Sequence, residues 1–370
     1  MMLKTDHLVK TSYSPEDITF LLKDMSKVQI ESNIDNREKA FSLGHHYSES
    51  LPIEYRPSPE YLRLYNQAMN QLSSYIAQLV GIVTRRVHKY AGTDQVVIIS
   101  LARAGSPVGI LMRRYAHTFL GLDWPHFSVS ILRGKGIDEN AIKTVRDLYP
   151  NHHLQFVDGW TGKGAIQNEL TKSVQQLNEQ GLHLNDDLAV LSDPGGCATL
   201  YSTREDILIP NAFLNSTVSG LISRTILNNA YQSSEDFHGA KYYAELEDED
   251  VSNSFVDQIT AHFSAQEENI LKQFNKFPVK NERTWSGMQV AQEIAHKYYK
   301  NSDLTKVKPS IGETTRTLLR RKPHKILLRD ENDEAVKHIL SLCQEKNIPI
   351  EIIPDLYYRA IGLIESEELI

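Results

Sequence analysis

The distribution of apolar positions divides the chain into helical and extended stretches. From Glu60 to Tyr90 apolar residues recur at helical spacing through Leu62, Tyr65, Met69, Leu72, Ile76, Leu79, Val80, Val83 and Val87, which predicts one long helix. Val96–Leu101 is an uninterrupted apolar run of the kind buried on both faces of a parallel sheet. Further runs at Phe127–Leu132, Leu154–Val157 and Leu188–Leu191 predict three more strands, with a helix from about Ile110 to Thr118 and another starting after Gly164. Strands alternating with helices imply βαβ units and an α/β fold around a parallel sheet. Elsewhere, Pro15–Lys23 reads as an amphipathic piece capped by Ser14, and Ser216–Asn228 and Phe255–Lys276 read as helical. The prolines of the 51–59 crossing exclude regular helix there, and the acidic run Glu245–Asp250 reads as solvated surface. Beyond Asn281 a second unit begins. It has strands at Lys325–Arg329 and Ile348–Ile353 and a helix from about Asp333 to Lys346. The expected division is residues 1–280 and 281–370.

Composition narrows the class. With 370 residues, 41% hydrophobic and 24% charged, the chain suits about two globular domains, and a net charge of -7 argues against a uniformly nucleic-acid-coated surface. Two cysteines in unrelated contexts make a disulfide framework and a cysteine zinc site unexpected. Without a signal-like leader or a membrane-length apolar run, the expectation is a cytoplasmic protein that does not engage membranes.

In open parallel sheets ligands bind at the carboxyl ends of the strands, and four loops lie there. They carry Arg103-Ala104-Gly105, Arg133 with Lys135, Asp158 to Gly164, and Asp193 to Cys197. Thr161, Gly162, Lys163 and Gly164 form a short glycine-rich turn at a helix start, which suits a phosphate. Asp158 directly before it suits ribose hydroxyls. Arg103 beside Ala104 and Gly105 suits a diphosphate that Arg133 and Lys135 could cover. The polar stretch around Arg204, followed by residues 211–224, has the composition of a substrate hood. Cys197, after Asp193-Pro-Gly-Gly, is a competing nucleophile that would need a base, with His45, His46, His126, His152, His153 and His183 available. Lys308, Arg316, Arg320 and Arg321 belong to a basic segment suited to RNA phosphates.

The pattern Ala102-Arg103-Ala104-Gly105-x-Pro-x-Gly109 together with Asp158-Gly-Trp-Thr161-Gly162-Lys-Gly164 resembles a type I phosphoribosyltransferase domain. More closely, the chain resembles the phosphoribosyltransferase-like proteins of bacterial tellurite-resistance and stress gene clusters. These carry a C-terminal Pelota-like RNA-binding domain and are also labelled StiP-type cysteine proteases. The segment Lys308 to Arg321 is the most specific C-terminal part of the match, while Gly159 stands where the type I family has a second acid. The resemblance implies a type I phosphoribosyltransferase-like parallel sheet with a hood, plus a smaller α/β Pelota-like domain. It implies an enzyme that binds 5-phosphoribosyl diphosphate with Mg²⁺ and forms a nucleoside- or nucleotide-like product, with Asp158, Arg103 and Lys135 as its catalytic residues and RNA as a partner. The alternatives are a cysteine protease or hydrolase using Cys197, and a non-catalytic RNA-binding regulator. A homo-oligomer is compatible with all three, and the sequence names no metal ligand.

Overall fold

The computed structural model describes residues 7–32, 46–276 and 278–369. Its central sheet holds β1 (Thr19–Phe20), β2 (Val96–Ala102), β3 (His126–Leu132), β4 (His153–Trp160), β5 (Ala189–Ser192) and β6 (Leu200–Thr203). Their spatial order is β1-β3-β2-β4-β5-β6, and all are parallel. A two-residue antiparallel strand, Gly136–Ile137, is attached to β3. Alternate residues of β2 face two different cores. Val96 and Ile98 pack with the helices α1 (Pro59–Ala91) and α2 (Ser106–Tyr115). Val97, Ile99 and Leu101 pack with α3 (Glu139–Leu148) and α4 (Ala165–Glu179). Both faces are covered, as the unbroken apolar strands require.

Local chemistry sets the length of α1. Ser58 caps its start by accepting from Tyr61 N, Pro59 occupies the first turn, and Gly92 ends it at φ 65°, a left-handed conformation that glycine adopts without a Cβ penalty.

Three helical expectations are corrected. Pro15–Lys23 is not a helix: residues 15–17 form a turn, β1 pairs with β3 beyond it, and Ile18, Phe20, Leu21 and Leu22 are all buried, so the apolar residues do not keep to one helical face. Ser216–Asn228 holds only a short 3-10 turn at Ser216–Val218, because the chain reverses at Gly220 (φ 74°) and Leu221 (φ 58°) and then hydrogen-bonds to residues 239–243. Phe255–Lys276 is two helices, α5 (Ser252–Thr260) and α6 (Phe263–Phe274), broken at Ala261–His262.

The C-terminal unit begins with α7 (Ser286–Tyr298) and builds a second sheet. Its strands are β7 (Val307–Pro309), β8 (Pro323–Leu328), β9 (Ile350–Ile352) and β10 (Ala360–Ile364), in the order β7-β10-β8-β9. Helices α8 (Ile311–Arg320) and α9 (Lys337–Lys346) cover one face. Leu327, Ile361 and Leu363 turn to the other face and pack with Ala291 and Ala295 of α7. The fold is therefore mixed α/β, with a mostly parallel main sheet and a smaller α/β unit. Ile311 and Leu318 of α8 join the main core, so apolar packing is continuous between the two. Among the described residues no helix is long and apolar enough to cross a membrane.

Candidate functional site

A cavity of about 300 Å³ opens at the carboxyl ends of β2, β3 and β4 and is closed from the far side by β7 and α8. It brings together most of the residues singled out from the sequence: Arg103, Ala104, Arg133, Asp158, Thr161 to Gly164 and Cys197 from the main unit, and Lys308, Arg316 and Arg320 from the C-terminal one. Segment 211–219, part of the expected hood, also contributes to its wall. Lys135 is exposed and outside the lining, and Gly105 packs beneath the floor, where a Cβ would meet the Leu101 backbone at 3.0 Å.

The glycine-rich turn is engaged by the protein itself. Thr161 is buried; its hydroxyl donates to Asp193 Oδ1 at 2.6 Å and accepts from Gly195 N at 3.1 Å. The Lys163 ammonium donates to the Leu304 and Val307 carbonyls, the latter at 2.7 Å. Tyr358 Oη donates to the Gly162 carbonyl at 2.8 Å. Burial, then the neighbouring Lys308 and Arg133, push the Lys163 ammonium down to about 7. The Arg103 guanidinium is tied to the Ile222 carbonyl and the Asn215 side chain. Asp158 is pushed up to about 6 by burial, against the hydrogen bond from Gly159 N and the charge of Arg316. Arg316 itself lies 4.5 Å from the Trp160 ring centroid.

Cys197 sits beside this turn with no solvent exposure. Asp193 organises its loop: Oδ1 accepts from Cys197 N at 3.0 Å and Ala198 N at 3.2 Å as well as from Thr161. Arg204 Nε lies 3.7 Å from Asp193 Oδ2, and the same guanidinium donates to Glu282 O at 2.7 Å and to Thr284 Oγ1 at 3.2 Å. Arg204 thus holds the segment entering the C-terminal unit. Burial, with the Asp193 carboxylate adding to it, pushes the Cys197 thiol up to about 12.

None of the described histidines lines the cavity. His126 is locked between Ser100 Oγ (2.7 Å) and the Asp17 carbonyl (2.8 Å), and burial depresses it to about 4. His152 and His153 lie at the opposite end of β4, and His183 in the loop after α4. His46 approaches the site's rim by a 3.0 Å contact with Arg133 O, and His45 lies outside the described residues. The other cysteine, Cys343, is buried within α9. Among the described residues no group of three or more His, Cys, Asp and Glu is placed to hold a metal.

The close fit of the two loops can be tested at one atom. A Cβ on Gly195 would fall inside contact distance of the Gly162 carbonyl and 2.9 Å from Thr161 Oγ1. Gly195→Ala is expected to cost about 1–3 kcal/mol in denaturant unfolding. Gly159→Ala, whose nearest neighbours would be 3.8 Å away, is expected to change little. Equal midpoints for the two variants would contradict the packing described.

Sequence comparison bears on the function expected of this site. A family model described as "Tellurite-like stress resistance cysteine protease StiP" matches residues 11–260, and one described as "PELOTA RNA binding domain" matches residues 285–366. The "Cysteine protease StiP" of Acinetobacter baylyi is 34% identical over 371 residues, covering 96% of this chain and 94% of its own length. The chain belongs to the StiP family. The resemblance to StiP and to the Pelota domain thereby holds, whereas the phosphoribosyltransferase reading is overturned: family model and relative both carry a cysteine protease description. The expected 5-phosphoribosyl diphosphate substrate falls with it, and so does the ground on which Mg²⁺ was expected. The structure supplies a physical reason. Thr161 and Lys163, the groups expected to hold the phosphate, are bonded to the Asp193 loop and to the C-terminal unit, and Gly159 leaves Asp158 without an adjacent acid.

The sequence marks the Asp193 loop but not Tyr358, and no local signal could find it, because its partner Gly162 lies 196 residues away in the chain.

Proposed function

We propose that this StiP family member is a thiol hydrolase that cleaves amide bonds through Cys197. The observation that carries the reading is that Cys197 is the one cysteine lining the cavity at the strand ends, on a loop organised by an acid. Asp193 is the proton acceptor in this reading, since it faces the thiol and no described histidine does. The thiolate adds to the substrate carbonyl and the C–N bond breaks. The amine leaves with the proton held by Asp193, and water then releases the acid and restores the thiol. The lining carries Arg133, Lys308 and Arg316 beside the internally bonded Arg103, Lys163 and Arg320, against Asp158 and Glu313, which favours substrates with acidic side chains near the scissile bond. We also infer that the C-terminal unit binds RNA, on the strength of its family match and of exposed Arg321 and Lys322 at the end of α8. The family description extends the proposal to tellurite-like stress resistance.

The test is hydrolysis of acidic and basic peptide sets by the purified chain, with and without added mixed-sequence RNA, before and after complete alkylation by iodoacetamide. The expected result is release of fragments from the acidic set, abolished by alkylation. Hydrolysis that survives complete alkylation of Cys197 would sink the reading.

A further inference from the structure

We propose that the C-terminal unit is a lid that holds Cys197 shut, and that RNA bound to this unit opens it. The inference rests on Cys197 as the reactive group of the preceding reading.

The lid is seated on the two loops that surround the thiol. Asn281 N donates to Thr199 O at 3.0 Å, Thr284 N and Trp285 N both donate to Gly196 O at 2.8 and 2.9 Å, and Gly287 N donates to Gly195 O at 3.0 Å. The Trp285 ring lies over Gly164, so close that a Cβ on that glycine would overlap it, and the same Cβ would stand 3.1 Å from Cys197 Cβ. Tyr358 completes the seat through its bond to Gly162 O. Trp285 is held at φ 56°, a conformation uncommon for a bulky residue, at the point where the chain enters α7. These contacts leave the thiol with no solvent exposure. A substrate carbonyl cannot reach the sulfur while they persist.

The same closed arrangement occupies the unit's cations. Lys308 and Arg316 line the cavity, and Arg320 donates to the carbonyls of Ala212 and Leu214 and to Asn215 Oδ1. RNA phosphates that claim these side chains compete with the contacts that close the lid. A ligand that binds the open form more tightly shifts the population toward it, and an open lid in turn binds RNA more tightly.

The experiment uses the full chain carrying Cys343→Ala, so that Cys197 is the single thiol, and measures its alkylation by iodoacetamide. The rate is expected to be slow in the parent. It is expected to rise about tenfold or more on adding a mixed-sequence RNA with hairpin and single-stranded segments, and to rise comparably without RNA in Trp285→Ala and in the nearly isosteric Tyr358→Phe. Thermal unfolding verifies that the variants remain folded. Equal rates in parent and both folded variants, or an RNA that leaves the parent's rate unchanged, overturn the proposal. Peptide hydrolysis is scored separately. A thiol that responds to RNA in a chain that cleaves nothing refutes the hydrolase reading and leaves the lid standing, whereas hydrolysis with an unresponsive thiol does the reverse.

Discussion

A Cys197→Ala chain is expected to lose peptide hydrolysis by at least about 10⁴-fold, the scale on which removing a covalent nucleophile acts. The same substitution has a second, independent signature in stability. The native thiol is pushed up to about 12, above the value of about 8.5 for an unfolded cysteine. Between those values the native chain keeps a proton that the unfolded chain has released, so stability falls as pH rises through this window, by about 1.4 kcal/mol per unit from this group. Cys197→Ala removes that part of the decline. Denaturant titrations from pH 8 to 10 on both chains measure it, and parallel curves would show that the thiol is not buried beside Asp193 as described. The ¹³Cβ shift of Cys197 is expected to keep its neutral-thiol value across the same range. At pH 7 the closed chain's thiolate fraction lies far below the few per cent of an exposed cysteine. Low reactivity of the closed chain therefore has two sources, steric cover and charge suppression, and opening the lid relieves both.

The architecture was legible because its determinants are local. The run Val96–Leu101 could be assigned to a doubly covered strand from composition alone, and the loops at the ends of β2, β3, β4 and β5 followed from the strands. These loops do converge on one cavity. Their chemistry was less legible, since Thr161 and Lys163 in a glycine-rich turn suit an external phosphate and an internal partner equally well. Their actual partners, Asp193 and the carbonyls of residues 304 and 307, lie 32 to 144 residues further on. Pro15–Lys23 shows the same limit at the level of structure. Its helix-like start yields to pairing with β3, a strand more than 100 residues later, which local pattern does not encode. The fold divides the basic segment that holds Lys308, Arg316, Arg320 and Arg321: Lys308 and Arg316 turn into the cavity, Arg320 anchors to the 212–215 loop, and Arg321 stays exposed.

Asp206→Ala is expected to loosen the C-terminal unit's hold on the main unit. This carboxylate follows β6 and is almost fully buried; Oδ1 accepts from Ile311 N at 2.9 Å and Oδ2 from Arg359 N at 3.0 Å. It thus binds the first turn of α8 and the residue preceding β10. Alanine would leave two backbone N–H groups without their acceptors at roughly 1–3 kcal/mol each, so faster hydrogen exchange at Ile311 and Arg359 is the expected readout. Burial pushes the Asp206 carboxyl up to about 7, and the two backbone donors oppose that rise without overcoming it. The unfolded value is about 3.9, so between pH 4 and about 7 the native chain holds the extra proton. The contribution of this group is therefore fully present below about pH 4 and is lost as pH rises toward 7. Asp206→Asn cannot titrate, and it should remove this component of the pH dependence while keeping one acceptor oxygen. An unchanged pH dependence in the asparagine variant, or unchanged exchange at Ile311 and Arg359 in the alanine variant, would mean that the two units are held together elsewhere. The expected changes would identify Asp206 as the acid that joins the StiP-matched and Pelota-matched parts of the chain, and as a point from which the lid over Cys197 can be loosened without touching the thiol.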